Sequence, residues 1–215
     1  MKERILSVVL SVVLALFAIS ASIAAPILYR PFYYAQIDAL SIPESTGWSK
    51  EVIREAFDDM MDYELKGEPF RTGQLKWSQS GYSHFADVKN LFWMDLDLAA
   101  GTAAALLVLW ILSRKWKTHR FLGFGPSFWA GIGMLIFFAV VGIAGAIDFD
   151  KAFTAFHSLF FPGKTNWLFD PATDEIILIL PEEFFRNCAL LAIGLIAAFV
   201  VIYLIAGRRK KRISK

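Results

Sequence analysis

The chain has 215 residues, of which 56% are hydrophobic and only 20% charged, more apolar sequence than the core of a soluble domain of this size takes up. A single cysteine, Cys188, excludes an internal disulfide framework and a paired-thiol zinc site. The formal net charge of +2 conceals a strong asymmetry along the chain.

Four apolar stretches reach the roughly 20 residues that a hydrocarbon core of about 30 Å requires. They cover about 5–28, 91–112, 128–147 and 188–206. The first follows Lys2 and Arg4 and ends in small residues, as a secretory leader does. Its apolar run is longer than a leader's, so a retained anchor is expected. The fold expected is an all-α integral membrane protein of four transmembrane helices, a single membrane domain over residues 1–215 with an extracellular cap of helices and loops.

The segment 29–90 is polar and too long for a simple hairpin connection. Within it Trp48–Leu65 reads as an amphipathic helix, because Val52, Ile53, Phe57, Met60, Met61 and Glu64 recur near helical spacing. Ser49 and Gly67 are its start and stop signals. Pro69, Gly73, Ser78 and Ser80 mark loop or short strand, and a helix from about Tyr82 runs on into the second span. Asp95 and Asp97 lie near the outer end of that span, where carboxylates are costly unless paired. Arg30 and Arg186 are at comparable depth, and a structural interfacial pairing is expected.

The segment 148–187 is too aromatic for an ordinary solvated loop. On a helix, Phe153, Phe156, His157, Phe160 and Phe161 share one broad arc, which by itself fits an interfacial amphipathic helix carrying an incidental histidine.

Orientation follows from the basic residues. Lys2, Arg4, Arg114, Lys115, Lys117, Arg120, Arg208, Arg209, Lys210, Lys211, Arg212 and Lys215 flank the spans on one side, 12 of the 22 basic residues, with only Glu3 opposing them. The other side holds 19 of the 20 acidic residues. Basic flanks stay in the cytoplasm, so both termini are expected inside, and 29–90 and 148–187 outside. The tail at 208–212 then meets lipid headgroups rather than nucleic acid.

Three histidines are few enough to weigh singly. His119, beside Lys117 and Arg120, reads as a solvated turn residue on the cytoplasmic side. His84 has Asp87 three positions on, on the same helical face, where a carboxylate can fix the imidazole tautomer. His84 and His157 both lie just outside a span, so a four-helix bundle can bring them together. Two histidines and a carboxylate can bind zinc or iron, but no HExxH or other short metal spacing is present. No GxSxG elbow is present either, and Cys188 opens the last span, where it fits packing.

The stretches HFADVK at 84–89, AFHSLFFPG at 155–163 and FDPATDEIILILPEEFF at 169–185, with the four spans, resemble the bacterial lipoprotein intramolecular transacylases. The resemblance covers nearly the whole chain. It implies an enzyme at the outer face of the plasma membrane; no cofactor or metal is expected. Its substrate is a diacylated lipoprotein with a free N-terminal cysteine amine, held among membrane lipid. The sn-2 acyl chain moves to that α-amine, giving lyso-form lipoprotein. The family's two essential histidines match His84 and His157.

That chemistry agrees with the missing nucleophile. Amine and ester belong to one molecule, so direct attack closes a ring of roughly eight atoms and proximity replaces a covalent enzyme intermediate. An α-amine titrates near pH 8, and a neutral imidazole among phenylalanines is a competent base for it. His157 is expected as the base and His84, oriented by Asp87, as the group serving the oxyanion or leaving oxygen, with exchanged roles equally compatible. Asn166 and Arg71 are candidate orienting or substrate-binding groups. Two further classes remain open: a metal-dependent intramembrane hydrolase or protease using both histidines and a carboxylate, and a non-enzymatic lipid-binding protein. A transporter is disfavoured by four spans with few polar residues at mid-membrane.

Overall fold

The computed structural model describes residues 1–113 and 118–208. Of the basic residues counted above, Arg114, Lys115, Lys117, Arg209, Lys210, Lys211, Arg212 and Lys215 lie outside the described residues. The described residues form eight α-helices and one 3-10 helix, and no strand. In chain order these are α1 (Lys2–Leu28), α2 (Pro31–Ala39), α3 (Ile42–Thr46), α4 (Lys50–Lys66), α5 (Gln79–Ser113), α6 (Pro126–Ile147), α7 (Phe149–Phe160), the 3-10 turn Glu175–Ile179 and α8 (Glu182–Gly207). Four of them, α1, α5, α6 and α8, are long and apolar enough to cross a membrane.

At 35 residues α5 is about 52 Å long, well beyond a hydrocarbon core. Its first turns, Gln79–Asn90, are polar, and its apolar part starts at Leu91. The helix begins at Gln79, about three residues before the expected Tyr82.

The chain divides into two compact units. The first holds Met1–Ala24, Asp95–Ala144 and the described residues from Leu191 on. Small residues let its helices approach: Ala18 and Ala130 are buried with Met134, Ile196, Val200 and Tyr203. Several polar groups in these helices are bonded within the protein, as lipid favours, but Asp95 Oδ2 is buried without a partner, so the pairing expected for Asp95 is not formed among the described residues. Ser20 and Ser22 return their hydroxyls to the carbonyls of Leu16 and Ala18, while the Tyr203 hydroxyl reaches the Leu14 carbonyl at 3.0 Å. At one end of this unit the start of α1, the turn before α6 and the end of α8 are tied together. The Ser7 hydroxyl donates to the His119 carbonyl at 3.0 Å, and the Gly125 N–H to the Gly207 carbonyl at 2.8 Å. A Cβ at Gly207 would lie 2.3 Å from the backbone nitrogen of Phe128, so only glycine fits there.

The second unit, Ala25–Met94 with Gly145–Leu190, has an aromatic core. Tyr33 stacks on Phe57 with ring centres 3.7 Å apart, meets Phe184 edge-on and donates its hydroxyl to the Ile179 carbonyl at 2.8 Å. The α4 helix supplies Ile53, Ala56, Phe57, Met60 and Met61 to this core, the face its sequence period marks. Ser49 caps it by accepting from the Val52 N–H, and Gly67 ends it in the left-handed region at φ 76°. Segment 67–78 is loop, with a single isolated bridge between Thr72 and Gln74. Arg30, the residue before α2, is held by Asp58 and Asp62 of α4 rather than by Asp95 or Asp97. Glu64 is only 1% exposed, and neither of its carboxylate oxygens has a partner. Burial, opposed by the Lys89 charge, pushes its acid up to about 9, so it is neutral at pH 7.

Candidate active site

The start of α5 is fixed by a polar strap. Ser78 caps the helix, its hydroxyl accepting the Gly81 N–H at 3.0 Å. The buried Asp174 carboxylate in turn accepts the Ser78 N–H and hydroxyl, both at 2.8 Å, and the Thr173 hydroxyl at 3.0 Å. One residue on, Glu175 accepts from the backbone N–H and the ammonium of Lys76, both at 2.9 Å, and its own N–H returns to the Lys76 carbonyl at 3.0 Å. The approach is close enough that a Cβ on Gly81 would lie 2.1 Å from Asp174 Oδ1. His84 sits on the first turns of the helix so fixed, and is 6% exposed.

His157 comes from α7, which starts one residue after α6 because Asp148 caps it, accepting the Lys151 N–H at 3.0 Å. The ring is also 6% exposed. Its Nδ1 lies 2.8 Å from the Phe153 carbonyl, an acceptor only, so Nδ1 carries the proton and Nε2 presents a lone pair. Nε2 has no hydrogen bond among the described residues. Trp167 stacks on the ring at 4.5 Å and 28°, and Phe153 lies at 4.2 Å.

The two imidazoles meet, with ring centres 5.8 Å apart and planes 33° from parallel. Phe161 touches both, at 5.1 Å from His84 and 5.7 Å from His157, and Phe169 packs on His84 at 5.4 Å. Phe160, expected in the same arc, packs on Phe156 instead, and both rings are exposed. Burial, reinforced by the neighbouring His157, pushes the His84 imidazole down to about 4, with Asp87 opposing and Lys164 adding to the drop. Burial also lowers His157, partly opposed by its bond to the Phe153 carbonyl. Both rings are therefore neutral at pH 7.

Asp87 does not hold the His84 ring. Its Oδ1 accepts from the Lys164 ammonium at 2.5 Å and its Oδ2 from the Asn166 amide at 3.1 Å, while the buried Nδ1 of His84 has no hydrogen bond. Burial works against ionisation of Asp87, but these two bonds and the Lys164 charge outweigh it and hold the carboxyl below its usual range. The carboxylate thus latches the loop after α7 onto the turn that carries His84. Asn166 also reaches the Ser83 hydroxyl at 3.4 Å, and its own side-chain carbonyl is buried without a partner. Arg71 is exposed in the loop after α4, and no hydrogen bond or ion pair ties it to either histidine.

Among the described residues, no three His, Cys, Asp or Glu side chains are grouped to hold a metal ion. Sequence reasoning missed Trp167, Lys164 and Asp174. Each acts across a distance in the chain that periodicity does not span, although all lie in or beside the aromatic segment that stood out.

The profile of the family described as lipoprotein intramolecular transacylase Lit matches residues 8–185. No curated protein sequence matches the chain. Among solved structures, the membrane-integral lipoprotein intramolecular transacylase Lit of Bacillus cereus is similar, with a TM-score of 0.86 and 28% identity over 95% of this chain and 94% of that one. Two structures of that enzyme with a histidine replaced, one by arginine and one by alanine, each align at a TM-score of 0.79 and 27% identity over 95% of this chain. They are covered to 90% and 91% of their own lengths. The matched family region takes in both histidines, the latch and the strap, and the chain belongs to the family of lipoprotein intramolecular transacylases as an integral membrane acyltransferase.

Proposed function

We propose that the chain moves the sn-2 acyl chain of a lipoprotein's diacylglyceryl group to the α-amine of the same N-terminal cysteine, with His84 and His157 as the catalytic residues. The single observation that carries this reading is the pair of buried, neutral imidazoles 5.8 Å apart, one with its Nε2 lone pair unengaged. As the amine nitrogen attacks the ester carbonyl, His157 takes its proton and the carbon–nitrogen bond forms. The tetrahedral oxyanion needs a donor, which His84 supplies through an N–H. Collapse breaks the bond between the acyl carbon and the glycerol oxygen; that oxygen takes the N–H proton of His84, and the proton held on His157 passes to His84 in its place. Net, one proton passes from nitrogen to oxygen, and both rings end neutral. No cofactor or metal enters this scheme.

The reading includes placement. The chain is a single membrane domain in the plasma membrane with both termini cytoplasmic, and 29–90 and 148–187 face outward. The concentration of acidic residues in those two segments supports it, as do Lys2, Arg4, Arg120 and Arg208 on the opposite flanks. A diacylated lipoprotein anchored in the same leaflet then reaches the histidines without leaving the lipid. Asp87 serves as a positioning residue through Lys164 and Asn166.

The test uses the full-length protein in membranes with one diacylated lipoprotein, its N-terminal peptide read by mass spectrometry. His84→Ala and His157→Ala should each lower formation of N-acylated, lyso-form peptide at least about a hundredfold, with membrane abundance unchanged. Undiminished conversion by either variant would sink the mechanism.

A further inference from the structure

Two buried polar atoms at the paired histidines have no partner: Nδ1 of His84 and Oδ1 of Asn166. Unsatisfied buried groups are rare in folded proteins and call for an explanation. The orientation of the Asn166 amide is fixed by its surroundings, since its Nδ2 donates at 3.1 Å to the Asp87 carboxylate, which can only accept. A second contact, 3.4 Å to the Ser83 hydroxyl, keeps the amide on the turn that carries His84. Turning the amide over would set its oxygen against the carboxylate. Asp87 is itself anchored by Lys164, so the amide has a rigid base. The next residue, Trp167, stacks on His157 at 4.5 Å. Asn166 is thus tied to the turn of His84, and the residue after it stacks on the ring of His157. The one unused atom of Asn166 is an acceptor.

The reaction at this site has a matching need. A primary amine attacking an ester carries two N–H groups. One proton goes to the base, and the second N–H stays on nitrogen throughout, becoming the N–H of the product amide. In a dry site that N–H requires an acceptor. The phenylalanines around the imidazoles provide none, the His157 lone pair takes the first proton, and His84 serves the ester oxygens in the scheme above. We propose that Asn166 is the substrate-binding residue that accepts this second N–H through its side-chain carbonyl, and so selects a primary α-amine. This rests on the transacylase reading above. The bond forms before transfer and lasts through it, so it orients the nitrogen lone pair toward the ester as well as holding the amine.

The experiment compares two lipoprotein substrates that differ only at the N-terminal nitrogen, one with the natural primary amine and one N-methylated, which has a single N–H to offer. Both are assayed with the wild-type protein and with Asn166→Leu, which keeps the side-chain shape and removes the acceptor. Asn166→Ala replaces the leucine variant if that does not accumulate in the membrane. The readout is the ratio of kcat/KM for primary over N-methyl amine. Any loosening of Asp87 by the substitution slows both substrates and cancels in this ratio. Wild type should prefer the primary amine about tenfold, the size of one hydrogen bond in a dry site, and the variant less than about twofold. A ratio near one in the wild type overturns the inference. So does an equal ratio in wild type and variant, which would make the preference steric. Either of these with intact transfer to the primary amine leaves the transacylase reading standing. Absence of transfer to any α-amine by the wild type would instead remove that reading, and this inference with it.

Discussion

An imidazole serves as a base for an amine only while it is neutral, and at this site aromatic packing keeps it so. Phe153, Trp167 and Phe161 surround His157, and Phe161 and Phe169 surround His84, so protonation of either ring places a charge where little water reaches. A lowered pKa means the neutral form prevails above it, and both rings lie below the usual histidine value, His84 at about 4. The substrate amine, titrating near 8, is then the only reacting group to change charge between about pH 6.5 and 9. The single-turnover rate should accordingly rise tenfold per pH unit up to about 8 and then level, with no second break near 6.5. Replacing Trp167 by alanine opens the His157 ring to water and should bring its titration back toward the ordinary range, adding a break near 6.5. A break there in the wild type would show that the rings are solvated.

At the scale of elements, the placement of His84 depends less on α5 itself than on what grips its first turn. Ser78, Gly81 and the carboxylate of Asp174 form one close contact, and Gly81 is there because a side chain would collide with Asp174 Oδ1 at 2.1 Å. Gly81→Ala should therefore cost about 1–3 kcal/mol through forced displacement of the helix start, and should lower transfer by moving His84. Gly101→Ala, in the same helix with nothing within 4 Å of the added carbon, should leave both stability and activity nearly unchanged. Thermal unfolding and transfer rates of the two variants check this, and equal behaviour of the two would refute it.

The same contrast shows how far the sequence could be read. The α4 helix carries its period, cap and stop signal within one short stretch, and Ser49 and Gly67 mark its ends in the structure. The four apolar helices are legible because hydrophobic length is a local property. The strap and the latch are not local. Lys76 meets Glu175 and Asp87 meets Lys164 across intervals of 99 and 77 residues, and a residue such as Asp87 offers no sign in sequence of which cation it will choose. Three residues from His84 on the same helical face, it is the orienting partner that sequence suggests for that ring, yet it bonds the loop instead. Trp167 was hidden for a similar reason, being one aromatic among many in a segment whose fold is set by turns rather than by a repeat.

For the molecule as a whole, the proposed chemistry fixes which side of the membrane each segment must occupy, and charge alone can be tested against that. With an even number of spans, the two termini share a side, and the segments carrying His84 and His157 share the other. The placement proposed above puts the termini in the cytoplasm, on the ground that Lys and Arg near short connections are retained there. A cysteine placed at Glu68, in the exposed loop after α4, should then react with a membrane-impermeant maleimide in intact protoplasts. One placed at the exposed Lys2, at the start of α1, should react only after the membrane is broken. Both are introduced after Cys188→Ala, which removes the one native thiol. The controls are retained lipoprotein transfer by each labelled variant, so that the topology measured is that of working protein. Labelling at position 2 in intact protoplasts, with none at position 68, would invert the protein. The two histidines would then face the cytoplasm, and a lipoprotein anchored in the outer leaflet would lie out of their reach.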